Sequence, residues 1–229
     1  MEPSQQRRRM VERHVEARGV HDSAVLDAMR AVPREAFLPE KLAEFAYDDT
    51  PLPIEEGQTI SQPFIVAAMA EALNLGPHDR VLEIGTGSGY AAAVIAEIAE
   101  KVYTIERHRV LADQAERRLR ALDYHNVYVL CGDGTLGWPE HAPFDAILVS
   151  AGGPEVPRVL IEQLAPGGRI VIPVGPDLRD QRLLRITKDN NGETHSEDLG
   201  GVRFVPLIGA GGFAEADEAP SHKPVPRPE

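Results

Sequence analysis

A chain of 229 residues, 42% of them hydrophobic, is long enough to bury one full-size core with an appendage, and one main domain is expected. Its formal charge of −12 argues against a general nucleic-acid binder, which needs a basic stripe for phosphates, and disfavours anionic membrane surfaces; the acidity reads as solubility. The single cysteine, Cys131, leaves no intramolecular disulfide and no CxxC metal site, as in a reducing compartment.

Gln5 to Arg9 is polar and basic, and no signal-peptide core follows it. No apolar run approaches a membrane span, so a cytoplasmic protein is expected. Glu2, Glu12 and Glu16 dilute Arg7, Arg8 and Arg9, which read as a solvated helix face. Met10, Val11, His14 and Val15 recur at helical spacing. A second helix carries Val25, Leu26, Met29 and Val32 behind the N-cap Asp22 and stops at Pro33. From Arg34 to Ser61 periodicity is lost, with at most a short helix around Lys41 to Phe45. Phe37, Phe45 and Tyr47 argue against disorder there, so the segment reads as functional. Pro63 opens a helix through Ile65, Met69, Ala72 and Leu73 to the stop Gly76-Pro77.

Alternation follows. Strands are expected at Arg80 to Ile84, Lys101 to Ile105, Val127 to Cys131, Phe144 to Val149 and Arg169 to Val174, with helices from Ser88, over Arg109 to Leu122 and over Val156 to Leu164. This predicts an α/β doubly wound, mostly parallel sheet with ligands at the carboxyl ends of the strands. Arg182 to Thr187, the turn Asp189 to Gly192 and Val202 to Leu207 read as antiparallel edge strands. Residues 1–76 are expected to form an N-terminal helical cap and active-site loop, 77–212 the cofactor-binding core and 213–229 a disordered, Pro-rich tail.

The stretch Val81-Leu-Glu-Ile-Gly-Thr-Gly-Ser-Gly-Tyr90 organises the rest. Gly85, Gly87 and Gly89 let a buried strand bend sharply into a helix and let a ligand approach the peptide planes, with Ser88 at the helix start. A dinucleotide fingerprint places a small residue where Tyr90 stands. Glu83 would repel a pyrophosphate but attract an ammonium, which favours S-adenosylmethionine (AdoMet) over NAD. Glu106, closing the second strand, reads as an acceptor for ribose hydroxyls, a device that NAD proteins share. Asp133, in Gly132-Asp-Gly134, is placed to accept from an adenine amino group; its alternative is an Asx-turn before Gly134. The eight histidines lack HxxxH or H-x-E pairing, so no metal site is expected, and there is no G-x-S-x-G elbow. Gly57-Gln-Thr-Ile-Ser-Gln-Pro63 is the remaining concentration of unusual residues, and composition alone leaves Ser61 open between capping the following helix and a role in a site.

The run Ala31-Val-Pro-Arg-Glu-Ala-Phe-Leu38, then Pro51 to Ile54, Gly57 to Pro63, Val81 to Gly89, Gly132 to Gly134, Phe144 to Ile147, Leu164 to Gly168 and Arg203 to Leu207 resembles the protein-L-isoaspartate O-methyltransferase family. The resemblance spans residues about 20 to 208, and Thr-Ile-Ser-Gln-Pro is far more specific than the glycine turn. It implies methyl transfer from AdoMet, leaving S-adenosyl-L-homocysteine, to the α-carboxyl of L-isoaspartyl residues in damaged proteins and peptides, which initiates repair through a succinimide. An acceptor with a pKa near ~4 is already ionised, so no general base is required and catalysis is alignment with water excluded. The resemblance assigns Ser61 to the active site, Thr59, Ile60, Gly85, Ser88, Glu106, Asp133 and Gly134 to the cofactor, and Val205, Pro206 and Leu207 to the bound peptide. A Rossmann-like methyltransferase acting as a monomer is expected. Alternatives are a carboxyl methyltransferase dedicated to one peptide or protein, and a non-catalytic AdoMet- or nucleotide-binding module.

Overall fold

A computed structural model describes residues 2–215; residues 216–229, most of the expected tail, lie outside the described residues. Helix α1 (Pro3–Met10) has proline in its first turn, where no N–H is missed, and runs on through a π turn and a 3₁₀ turn. Gly19 stops it at φ 102°. Helix α2 (Ser23–Ala31) is capped by Asp22, whose carboxylate accepts from Ala24 N at 2.8 Å and Val25 N at 3.2 Å. The irregular segment that follows contains 3₁₀ turns at Arg34–Phe37 and Glu40–Phe45, then the two-residue strands β1 (Leu52–Pro53) and β2 (Thr59–Ile60), paired antiparallel. Helix α3 (Pro63–Leu73) ends at Asn74, which takes the left-handed conformation at φ 48°.

The central sheet is built from β3 (Arg80–Ile84), β4 (Lys101–Glu106), β5 (Val127–Cys131), β6 (Phe144–Val149), β7 (Leu164–Val174), β8 (Gln181–Lys188) and β9 (Thr194–Val202). Helices α4 (Tyr90–Ala96), α5 (Arg109–Ala121) and α6 (Arg158–Glu162) connect its parallel part. The strand order is β5-β4-β3-β6-β7-β8-β9, parallel through β7 and antiparallel beyond. Period-two alternation serves both faces. Leu82, Ile84, Ile147 and Ile170 pack with Leu160 of α6 on one side. Val81, Val102, Leu148 and Val171 pack with Met69 and Leu73 of α3 and Ile95 of α4 on the other.

Two expectations about boundaries are corrected. The helix expected from Ser88 begins at Tyr90, because Gly89 at φ 91° still belongs to the turn. The strand paired with β8 is β9, Thr194–Val202, and not Val202 to Leu207. Asp189 Oδ1 accepts from Asn191 N and Glu193 N, and this tight turn returns the chain at once, pairing Lys188 with Thr194. Strand β9 was not legible because it is an exposed, polar edge without apolar alternation. The residues after it turn back to meet Gly152: Gly152 N donates to Val205 O and Leu207 N donates to Gly152 O, each at 2.8 Å. Of the described residues in the expected tail, Phe213 is tied in, its N–H donating to Leu207 O at 2.8 Å.

Candidate active site

Strand order reverses at β3: the chain moves outward to β4 and β5, then crosses back to lay β6 on the other side of β3. The carboxyl ends of β3 and β6 therefore diverge into a crevice, the place where open α/β sheets bind ligands. A cleft of ≈ 940 Å³, partly open to solvent, occupies it. Three parts of the chain meet there: the β2 residues Thr59 and Ile60 with Ser61 from the N-terminal region, the glycine turn, and Val205, Pro206 and Leu207 from beyond β9.

Backbone geometry fixes the turn. Gly85 N donates to Ile105 O at 2.8 Å, so the chain is still held against β4 as it leaves β3. Gly87, at φ 52°, turns its N–H onto Glu106 Oε2 at 2.8 Å, a conformation that an L side chain would strain. The other oxygen of Glu106 accepts from His108 N at 3.0 Å. Glu106 is buried and lines the cleft with Gly85, Gly87 and Ser88. A carboxylate offers about four lone-pair sites, so two N–H partners leave capacity for a diol.

Glu83 has no solvent exposure. Thr104 Oγ1 donates to its Oε2 at 2.6 Å, and Thr86 Oγ1 lies 2.6 Å from Thr104 Oγ1, forming a hydroxyl chain. Oε1 has no hydrogen-bond partner among the described residues, and Glu83 lines the cleft. Burial pushes its pKa up to about 8; the Thr104 bond opposes this and the nearby Glu106 adds to it. An orphaned, buried carboxylate oxygen beside a cleft suits a cationic guest, whose charge would favour the ionised form. The chemistry of the donor set thus admits a cationic group at Glu83 and a pair of hydroxyl donors at Glu106.

Asp133 takes the turn geometry before Gly134 that its sequence also allowed. It does not line the cleft, whereas its neighbour Gly134 does. Its Oδ1 accepts from Thr135 N at 2.9 Å and Thr135 Oγ1 at 2.7 Å, and its Oδ2 accepts from Ala210 N at 2.8 Å. Burial acts to raise its pKa, but these donors hold it below the ordinary 3.8. The carboxylate forms the turn before Gly134 and pins the chain beyond Ile208.

Ser61 does not cap α3. The N-cap position is Gln62, without a side-chain cap bond, and the Ser61 hydroxyl has no hydrogen-bond partner among the described residues. Residues that the sequence did not single out also contribute. His108 lines the cleft with a buried Nε2 that has no hydrogen-bond partner among the described residues, a position that its place just after β4 could have signalled. Arg34 donates to the Ser61 carbonyl at 3.1 Å, which nothing in its local sequence announced. Outside the cleft, Asp189, Glu193 and His195 approach one another on the β8–β9 turn, with Asp189 Oδ1 already engaged in that turn. Among the described residues no helix is long and apolar enough to cross a membrane.

The family model described as protein-L-isoaspartate(D-aspartate) O-methyltransferase matches residues 5–211. A protein-L-isoaspartate O-methyltransferase 1 of Rhodopseudomonas palustris is 59% identical over 94% of this chain and 88% of its own length. One from Geotalea uraniireducens is 59% identical over 89% of this chain and 93% of its own. A solved protein-L-isoaspartate O-methyltransferase superposes with a TM-score of 0.80 at 33% identity, covering 90% of this chain and 67% of that one. A crystal structure from Plasmodium falciparum, described as such an enzyme in complex with S-adenosyl-L-homocysteine, gives a TM-score of 0.75 at 28% identity over 88% of this chain and 98% of that one.

Proposed function

The chain belongs to the protein-L-isoaspartate(D-aspartate) O-methyltransferase family, and from that premise we propose that it methylates the α-carboxyl of L-isoaspartyl residues in damaged proteins and peptides, using AdoMet. The observation that carries this reading at the level of the site is that the unpartnered Ser61 hydroxyl and the glycine turn line one cleft. Residues 1–76 act as a cap that brings the Ser61 loop over the core of residues 77–212. The reaction is placed in the cytoplasm, consistent with the lone Cys131.

Bound AdoMet supplies an electrophilic methyl group on a sulfonium centre. Glu83 accepts from its ammonium, Glu106 from its ribose hydroxyls, and Gly85, Gly87, Ser88 and Gly134 give the close backbone approach. Thr59 and Ile60, which line the same cleft, would contact it. The Ser61 hydroxyl donates to the acceptor carboxylate and orients it without like-charge repulsion. No side chain has to remove a proton, since a carboxylate with a pKa near ~4 arrives ionised. Val205, Pro206 and Leu207, held to Gly152 by two backbone bonds, form the wall along which the substrate peptide lies.

The test is incubation with labelled AdoMet and paired peptides that differ only in L-isoaspartate or L-aspartate at one position. Label on the isoaspartyl peptide with near-background label on its partner is expected. Equal labelling of both would remove the repair reading and favour a carboxyl methyltransferase of other specificity.

A further inference from the structure

Arg34 has no solvent exposure and is among the largest fully buried side chains. No carboxylate lies within ion-pair distance of it among the described residues. Its partners are backbone carbonyls: Nη1 donates to Ala46 O, and Nη2 to Thr50 O at 3.3 Å and Ser61 O at 3.1 Å. Its Nε has no hydrogen-bond partner among the described residues. The guanidinium carbon lies 5.7 Å from the centre of the Tyr90 ring, at the start of α4.

A buried guanidinium with neutral partners is costly, and an apolar side chain would fill the same volume more cheaply. What Arg34 supplies is a planar fork that reaches three carbonyls at separate points of one irregular segment. That segment carries only short 3₁₀ turns and the two-residue β1–β2 pair as regular structure, and it ends on Ser61. The next residue is pinned independently: Gln62 Nε2 donates to Asp49 O at 3.0 Å and Asp49 Oδ2 at 2.8 Å, and Arg18 holds the same carboxylate at 2.6 Å. The glycine turn and Glu106, by contrast, are held by bonds within the sheet and its loops.

We infer that Arg34 is a positioning residue for the acceptor half of the site: it fixes the Ser61 peptide so that the hydroxyl faces the cleft, and it governs engagement of the acceptor peptide more than that of the cofactor. This rests on the reading that Ser61 orients the acceptor carboxylate.

The experiment compares wild type with Arg34→Met and Arg34→Lys. The measurements are steady-state methylation of an isoaspartyl peptide at saturating AdoMet, calorimetric binding of S-adenosyl-L-homocysteine, and amide hydrogen exchange over residues 46–62. In Arg34→Met, kcat/KM falls by roughly ten- to a hundredfold, as a misplaced orienting group predicts, while homocysteine-analogue affinity stays within about threefold. Exchange quickens over 46–62 and not in β3, β4 or β6. Arg34→Lys, with one ammonium for three carbonyls, falls between the two. Wild-type kcat/KM in a folded Arg34→Met protein would overturn the inference. So would loss of the fold in both variants, which would assign Arg34 to the global core. If wild type itself leaves the peptide unlabelled, the functional reading fails instead, and the exchange data still decide whether Arg34 holds the loop.

Discussion

Thr104 Oγ1 donates to Glu83 Oε2 at 2.6 Å across the register pair that joins β4 to β3, inside a parallel sheet. Among the described residues it is the one hydrogen bond that offsets burial of this carboxyl, whose pKa rises from 4.5 to about 8. Between those values the folded chain holds a proton that the unfolded chain has lost. The stability from this group is therefore complete below the unfolded pKa and is lost as pH rises through the folded one. Glu83→Gln should stabilise the ligand-free protein by an amount that grows from about pH 5 to about pH 9. Thermal midpoints across that range check it; a constant or shrinking gain would contradict the assignment.

The same carboxyl couples binding to protons. An ammonium against Oε1 favours the ionised form, so AdoMet binding near neutral pH should release close to one proton in wild type and none in Glu83→Gln. Calorimetry in two buffers of different ionisation enthalpy reads this directly. Equal proton release by both proteins would mean that another group titrates.

Ser61→Ala tests a hydroxyl that has no hydrogen-bond partner among the described residues. Stability should change by less than about 0.5 kcal/mol, since no cap or network is broken. Turnover at saturating AdoMet should fall on the order of a hundredfold, as for loss of one positioned donor. A lowered thermal midpoint with wild-type turnover would return Ser61 to a capping role.

Glu106→Ala removes the acceptor of Gly87 N and His108 N as well as the carboxylate offered to the ribose. AdoMet binding should weaken by about 1.5–3 kcal/mol, the scale of a charged hydrogen-bond acceptor. Unchanged affinity in a titration would show that the ribose is held elsewhere.

Asp133→Ala separates the two readings of that carboxylate. Its bonds to Thr135 and Ala210 predict faster hydrogen exchange at Ala210 and a smaller loss of AdoMet affinity than in Glu106→Ala. A loss as large as that of Glu106→Ala, with Ala210 still protected, would restore the adenine contact expected from sequence.

Local chemistry was legible in the sequence wherever a strong period or a steric requirement wrote it. Apolar runs marked strands β3 to β6; in β3, β4 and β6 residues buried on both faces of a parallel sheet leave no room for polar alternation, and the edge strand β5 is only partly buried. Glycines 85, 87 and 89 marked the turn because each adopts positive φ. Edge strand β9 escaped because solvent imposes no hydrophobic pattern on it. Asp133 and Arg34 mark the deeper limit. A carboxylate at a strand end is equally suited to an adenine amino group or to the N–H of Ala210, 77 residues away, and spacing does not choose between them. Arg34 looks like an ordinary surface cation until chain crossings place three bare carbonyls around it. The sequence by itself determined the parallel strands, the turn and the set of groups able to do the chemistry, since apolar period and glycine placement are written within a few residues of chain. Which polar group meets which was decided only by the tertiary structure, because a buried donor or acceptor must be satisfied by whatever the fold brings within reach.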